Sequence, residues 1–280
     1  MGSGMDWKSK QNSDGGWAYA RGGSWTEPTA FVLMAQSVTG IDGPSFQAGL
    51  NFLGATQRRD GGWSPQPGVD ESTWVTALAA FLPERTIGPE RLRRALAWLK
   101  GQTGRESSLS YRLRQRIAGN RDEFPYGWPW FPGAAAWVIP TAFGILAFER
   151  AFAAGDHDRA LRQRIADGRE FLFARQCADG GWNHGSNQAL GYPGDSYPET
   201  TGIALAALRR APNSEQIARA KTAARRHLTT CRTAEGIAWL RMGLAAHGEH
   251  VQSAFQPVPR TTLDEALTAL ASAAHNPLLS

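Results

Sequence analysis

Two kinds of helical pattern alternate along the chain. In the first kind apolar residues fill nearly every position: Glu27 to about Ser37, Glu71 to Leu82, Pro140 to about Phe152, Glu199 to Arg210, Ala234 to Ala246 and Leu263 to Ala273. A helix that is apolar nearly all round is buried on all sides. In the second kind the apolar positions keep to one face. From Pro44 to Gln57 they are Phe46, Leu50 and Leu53; from Pro89 to Gln102 they are Leu92, Leu96 and Leu99, with Arg91, Arg93 and Arg94 elsewhere. Asp158 to Cys177 and Ser214 to Cys231 follow the same amphipathic rule, which predicts helices facing water on one side. An additional helix is predicted over 107–118, where Leu109, Leu113 and Ile117 stand four apart. Six helices of the inner kind, each preceded by an outer one except the first, imply an all-α chain closed into a double-layered (α/α)6 toroid whose first hairpin is incomplete.

The junctions carry a repeated phrase. Gln11-Asn-Ser-Asp-Gly-Gly-Trp17, Gln57-Arg-Arg-Asp-Gly-Gly-Trp63 and Gln176-Cys-Ala-Asp-Gly-Gly-Trp182 each sit at the end of one unit. A second phrase then opens the next inner helix: Trp25-Thr-Glu-Pro-Thr29, Val69-Asp-Glu-Ser-Thr73 and Tyr197-Pro-Glu-Thr-Thr201. A fourth copy is partial, Tyr126-Gly-Trp128 followed by Trp137-Val-Ile-Pro-Thr141. The glycines allow a left-handed turn, the Asp closes that turn on its own backbone, and the Trp plugs the joint. Two loops stand out from this plan. One is aromatic, with Phe124, Tyr126, Trp128, Trp130, Phe131 and Trp137; the other, from Asn183 to Pro198, is the longest and holds His184, Tyr192, Asp195 and Tyr197. Long loops inside a compact fold usually serve function.

Composition narrows the classes. With 280 residues, 42% of them hydrophobic, the chain can bury one large core, and residues 5–280 read as a single domain. Met1 to Gly4 read as an appended leader, with Met5 the natural start. The net charge of +5 comes almost wholly from Arg interleaved with Glu and Asp, which excludes a dedicated nucleic-acid stripe. A mildly basic surface does suit an anionic headgroup or a diphosphate, and so a peripheral membrane contact. Cys177 and Cys231 are too few for a disulfide framework, no apolar run approaches a membrane span and no secretory leader opens the chain, so a cytoplasmic location is expected.

The Gln-x-x-Asp-Gly-Gly-Trp phrase after an amphipathic helix resembles the QW repeat of squalene-hopene cyclases and related terpene cyclases, whose relatives include the β subunits of protein prenyltransferases. The resemblance covers roughly residues 10–210. It implies an (α/α)6 toroid around an apolar cavity for an isoprenoid chain, and, because full cyclases of this type pair two helical domains, a second helical domain or a second copy of the chain as partner. The departures are chemical. Cyclases of this family protonate their substrate with the middle carboxylate of Asp-x-Asp-Asp, and no such motif occurs here. With Thr73 setting the register, Glu71 falls on the middle position, beside Asp70. The Asp-Asp-x-x-Asp motif that holds magnesium and a diphosphate is absent, and Asp195-Ser-Tyr197 offers no thiolate for a prenyltransferase-like zinc site. No metal and no cofactor are therefore expected.

Glu27, Glu71 and Glu199 share one register in the first turn of three inner helices. As complements to the positive helix end they would contribute ~0.3–1 kcal/mol each. As a proton donor one of them must stay protonated near neutral pH, which requires an apolar setting or a second carboxylate nearby. Glu71 with Asp70, and Glu199 with Asp195, rank above Glu27 on that ground. Trp25, Trp137 and Tyr197 lie two residues before that register and are expected around the mouth of the toroid, where aromatic faces could stabilise a carbocation or simply pack. Trp130 and His184 join them as candidate substrate contacts; Trp128 is open between packing and binding, and Trp17, Trp63 and Trp182 read as structural. Three functions compete: an isoprenoid cyclase or isomerase, a non-catalytic carrier of a polyprenyl or hopanoid lipid, and a polysaccharide lyase on the same toroid, which would want a charged groove. An apolar cavity with a buried carboxylate favours the first.

Overall fold

The computed structural model describes residues 6–118, 126–155, 158–185, 194–212, 214–276 and 278–279. Its helices are α1 (Thr26–Thr39), α2 (Pro44–Thr56), α3 (Val75–Phe81), α4 (Glu84–Ile87), α5 (Pro89–Gly101), α6 (Leu109–Ile117), α7 (Val138–Ala153), α8 (Arg159–Ala174), α9 (Pro198–Ala207), α10 (Glu215–Thr230), α11 (Ala234–Ala245) and α12 (Thr262–Ser272). The segments rich in Ala, Leu and Phe form α1, α3, α7, α9, α11 and α12, and most of their side chains are buried. Each packs on the next in that order, and α12 packs back on α1, which closes the inner ring. The amphipathic α2, α5, α8 and α10 lie outside it, each against the inner helix that precedes it in the ring.

Closure also has a backbone signature. The N–H at the first residue of an inner helix, or at the N-cap in the case of α3, donates to the carbonyl of a residue in a neighbouring junction: Thr26 to Pro65 at 2.8 Å, Trp74 to Trp130 at 2.9 Å, Val138 to His184 at 3.1 Å and, between the last unit and the first, Thr262 to Tyr19 at 2.7 Å. Helix N-termini leave such N–H groups without intrahelical partners, so the junctions cap them. On the far side of the ring α9 and α11 come closer than side chains permit. A Cβ on Gly202 would lie 2.3 Å from the Trp239 carbonyl carbon, so only glycine fits there.

The junctions repeat atom for atom. The amides of Gln11, Gln57 and Gln176 donate to Gly15, Gly61 and Gly180 at 2.7, 2.9 and 2.7 Å and to the first turn of the next outer helix at Ser45, Arg91 and Gln216 at 2.8, 3.0 and 2.8 Å. Asp14, Asp60 and Asp179 accept from the second glycine's N–H and from Ser24, Ser72 and Ser196. The indoles of Trp17, Trp63, Trp128 and Trp182 are fully or almost fully buried and donate to the carbonyls of Trp7, Leu53, Leu99 and Leu172 at 2.7–2.9 Å. Trp128 is therefore a joint residue. Its junction lacks the Gln contact, and Arg164 takes that place, stacked 3.9 Å above the indole and donating to Gln102 and Tyr126 carbonyls.

Three expectations are corrected. No outer helix precedes α12; residues 249–260 run without helix, with Pro257 and Pro259 two apart, and each proline removes a donor and pushes the residue before it out of the helical region. The second inner helix, α3, begins at Val75 and not at Glu71, because the Thr73 N–H is taken by the Trp63 carbonyl at 2.8 Å. On α6, Leu113 and Ile117 are exposed and do not pack inward. The expectations for Met1–Met5, Phe124 and Tyr192 lie outside the described residues.

Candidate functional site

The inner helices present one stripe each to the ring's centre, at positions four apart, as helical periodicity requires. Near their N-terminal ends Glu27 and Phe31 of α1, Ile139 and Phe143 of α7, and Glu235 and Trp239 of α11, with Ile203 of α9, Leu267 of α12, Trp74 ahead of α3 and Trp130 of the aromatic loop, enclose a cavity of about 270 Å³. Its aromatic walls support one another. Phe31, Phe143 and Trp239 meet pairwise edge to face at 5.6–6.0 Å, and Trp74 stands perpendicular to Trp130 at 5.0 Å and against Phe143 at 5.6 Å. The only carboxylates among these lining residues are Glu27 and Glu235.

Both are half-buried, and burial is the main influence on each. It pushes the Glu27 carboxyl up to about 7, against a hydrogen bond from the Tyr19 hydroxyl to its Oε2 that favours the charged form. Burial likewise raises Glu235 to about 7, and the charges of Glu27, Glu199 and Asp264 add to the rise. Tyr19 is itself driven up, by burial first and then by the charge of Glu27, so it remains a hydroxyl donor. Both glutamates sit in the first turn of a helix, where the macrodipole resists complete neutralisation. Because the charge of Glu27 acts on Glu235, the two titrations are linked.

The residues expected from sequence fall into three groups. Glu71 and Asp70 lie on the surface ahead of α3, and Asp70, 98% exposed, pairs with Arg58 at 2.6 Å. The register that singled out Glu71 used Thr73, whereas the threonines that accept the joint Trp N–H are Thr29, Thr76, Thr141 and Thr201, at 2.8–3.0 Å. Two residues before each of these stand Glu27, Trp74, Ile139 and Glu199. Trp74, and not Glu71, therefore occupies the carboxylate position of the second repeat. Glu199 is half-buried beside α11, accepts from Thr233 at 3.3 Å and acts on the cavity through its charge on Glu235; Asp195 is exposed.

Among the aromatic candidates only Trp130 lines the cavity. Trp25, Trp137 and Tyr197 are the N-cap residues of α1, α7 and α9, and each donates its N–H to a joint Trp carbonyl at 2.8–3.0 Å. Trp25 reaches the site indirectly, packing edge-on against Tyr19 at 5.4 Å. His184 is exposed, its ring 5.3 Å from that of Tyr197. Sequence reasoning missed Glu235, Tyr19, Trp74, Trp239, Phe31 and Phe143. The signal was available as the four-residue spacing Glu27/Phe31, Ile139/Phe143 and Glu235/Trp239 on consecutive inner helices. Among the described residues no group of three or more His, Cys, Asp or Glu side chains is placed to hold a metal ion.

No family model and no curated protein sequence matches the chain. Solved structures do match it. A GH8 endo-β-1,4-glucanase from an Achatina fulica gut metagenomic library superposes with a TM-score of 0.61 at 18% identity, covering 96% of both chains. A variant of a reducing-end-xylose releasing exo-oligoxylanase gives 0.62 at 13%, covering 92% of this chain and 82% of the other. The ent-copalyl diphosphate synthase of Streptomyces platensis gives 0.53 at 16%, covering 89% of this chain and half of the synthase. At these identities the likeness is one of fold, and the fold is the α/α toroid, which hosts both terpene-cyclising and glycoside-cleaving enzymes. Among the described residues no helix is long and apolar enough to cross a membrane.

Proposed function

We propose that this protein is an acid-initiated isoprenoid cyclase or isomerase, acting on a neutral polyene held between Glu235 and Glu27. The observation that carries the reading is the pairing of two raised carboxyls with aromatic walls in one otherwise aliphatic cavity. The charges of Glu27, Glu199 and Asp264 favour the protonated form of Glu235, which suits it as the proton donor; the Tyr19 hydroxyl donates to Glu27 and favours its charged form, which suits it as the base. Glu235 then delivers its proton to an alkene carbon, and the cation formed at the neighbouring carbon lies against the faces of Trp74, Trp130 and Trp239. Aromatic faces stabilise a cation without offering a lone pair to trap it. Glu27 removes a proton from an adjacent carbon, the C–H pair becomes a new C=C, and the product is an isomer of the substrate.

Two alternatives fit less well. A sugar needs donors and acceptors around its hydroxyls, and apart from the two glutamates and the indoles the lining residues offer none. A passive lipid carrier gains nothing from two desolvated carboxyls, which cost stability. The volume of about 270 Å³ lies just below the ~300–1,000 Å³ usual for ligand sites and suits a short chain. The test is product analysis by gas chromatography and mass spectrometry after incubation with geraniol, farnesol and squalene, and in parallel with cello- and xylo-oligosaccharides. Isomeric products from a polyene, lost in Glu235→Gln, support the reading. Shortened oligosaccharides with the polyenes unchanged would overturn it in favour of glycoside cleavage.

A further inference from the structure

A second cavity, of about 570 Å³, opens at the other end of the ring, where the C-terminal ends of α1, α7, α11 and α12 converge. Its chemistry is the reverse of the first. Arg85, Arg150, His250 and His275 line it, and no carboxylate does so among the described residues. The nearest acid in sequence to either histidine, Glu249, is engaged by Lys221 and Arg225 at 3.2 and 2.6 Å. Arg150 is half-buried with its guanidinium 4.9 Å above the Phe81 ring; burial lowers its pKa, and the charge of Arg85 lowers it further, so two cations share this space. Cations near helix C-termini do complement the macrodipole. That role alone does not require them to surround an open cavity whose remaining wall, with Met242 and Leu270, is apolar.

We infer that this cavity binds a phosphorylated amphiphile, its phosphate or diphosphate held by the exposed Arg85 with His250 and His275 alongside, and its apolar part laid on Met242 and Leu270. Guanidinium groups match phosphate oxygens in fork geometry, and such charge-assisted bonds are the strong ones. Mixed apolar and cationic walls favour a ligand with both characters over a bare anion. The site is independent of the carboxylate cavity, and its fate does not depend on the reaction proposed there.

Isothermal titration at low salt tests it with dodecyl phosphate, dodecanol, inorganic pyrophosphate, and phosphatidylcholine vesicles with and without phosphatidic acid. Dodecyl phosphate is expected to bind saturably and to weaken about tenfold or more in Arg85→Gln, with Glu71→Gln as an unaffected control. Arg85 is exposed, so its variant keeps the test valid if Arg150→Gln, which loses the contact with Phe81, fails to fold. Pyrophosphate binding as tightly as dodecyl phosphate, with the same loss in Arg85→Gln, would uphold the phosphate site and assign it to a free phosphate. Equal binding of dodecanol, or binding only to phosphatidic acid vesicles, would overturn the inference.

Discussion

The junctions and the central cavity are built from the same repeat unit, yet one is uniform and the other is not. At all four junctions a buried Trp donates its indole N–H to an earlier carbonyl and its backbone N–H to a threonine of the next inner helix. Two residues before that threonine stand Glu27, Trp74, Ile139 and Glu199, three kinds of side chain in four units, and the first three of these residues line the cavity. Uniformity follows from a constraint every unit shares, the packing of one helix pair on the next. Divergence at a single register means that the units no longer do the same job there. In this molecule the repeat identifies the frame, and departure from the repeat marks the candidate site.

The largest loss of stability is expected at a joint. Trp182 is fully buried and makes both hydrogen bonds, so Trp182→Ala should cost ~3–5 kcal/mol, a large part of the ~5–15 kcal/mol typical of a folded domain. Chemical denaturation reads this directly, and an unchanged midpoint would show that the joint does not carry the packing assigned to it. At the cavity the balance reverses. Glu235→Gln removes a carboxyl that burial and three acidic neighbours disfavour, so its melting temperature at slightly alkaline pH should equal or exceed that of the parent, while turnover of the polyene falls ~10²–10⁴-fold. A variant that lost stability and kept turnover would place Glu235 in the frame.

A smaller effect follows from proton linkage. Glu27 and Glu235 titrate at about 7 in the folded chain against an ordinary value of 4.5, so between these limits the folded state binds more protons than the unfolded one. Their contribution is fully present below the ordinary value and is lost as pH rises through about 7. Asp158, Asp179 and Glu249 are held lower than usual, and what they contribute is lost only at more acidic pH. Burial holds the imidazoles of His227 and His247 below their usual value, so their contribution rises with pH in the same window, and the carboxyl pair is read by difference: relative to the Glu27→Gln/Glu235→Gln double variant, the parent's melting temperature should decline between about pH 5 and about 7 and level off above. Identical profiles for parent and double variant would mean that neither carboxyl is desolvated.

How much of this was legible follows the same division. The six inner helices, the four joints and the closed toroid could be read because they repeat: Gln, Asp, Gly and Trp recur at fixed offsets, and the apolar runs recur between them. The missing outer helix before α12 was also written in the chain, in Pro257 and Pro259, but counting helices by kind passed over it. The carboxylate pair was half legible. Glu27 was noticed and ranked last, because carboxylate partners were sought next to each glutamate in sequence, whereas Glu27 finds its partner Glu235 on α11, which flanks α12 on the way round the ring back to α1. Closure brings the two together, and only three-dimensional packing states how the ring closes.

The smallest expected effect is the most discriminating. Glu71 and Glu27 share a lettering, a Glu two residues before a Thr, and differ only in which threonine anchors the helix. At Glu71 the nearby Thr73 is spent on the Trp63 carbonyl and Thr76 meets the Trp63 N–H, so the chain gains three residues before α3 is fixed and the glutamate stays on the surface. Its neighbour Asp70 forms a pair exposed enough to be worth only ~0–1 kcal/mol. Glu71→Gln should therefore move stability by no more than ~0.5 kcal/mol and leave turnover as in the parent, while Glu27→Gln loses the proton acceptor and with it the reaction. Steady-state turnover of both variants, side by side with their melting temperatures, decides between the registers. Loss of turnover in Glu71→Gln with none in Glu27→Gln would restore the Thr73 register and move the chemistry out of the cavity to the surface ahead of α3.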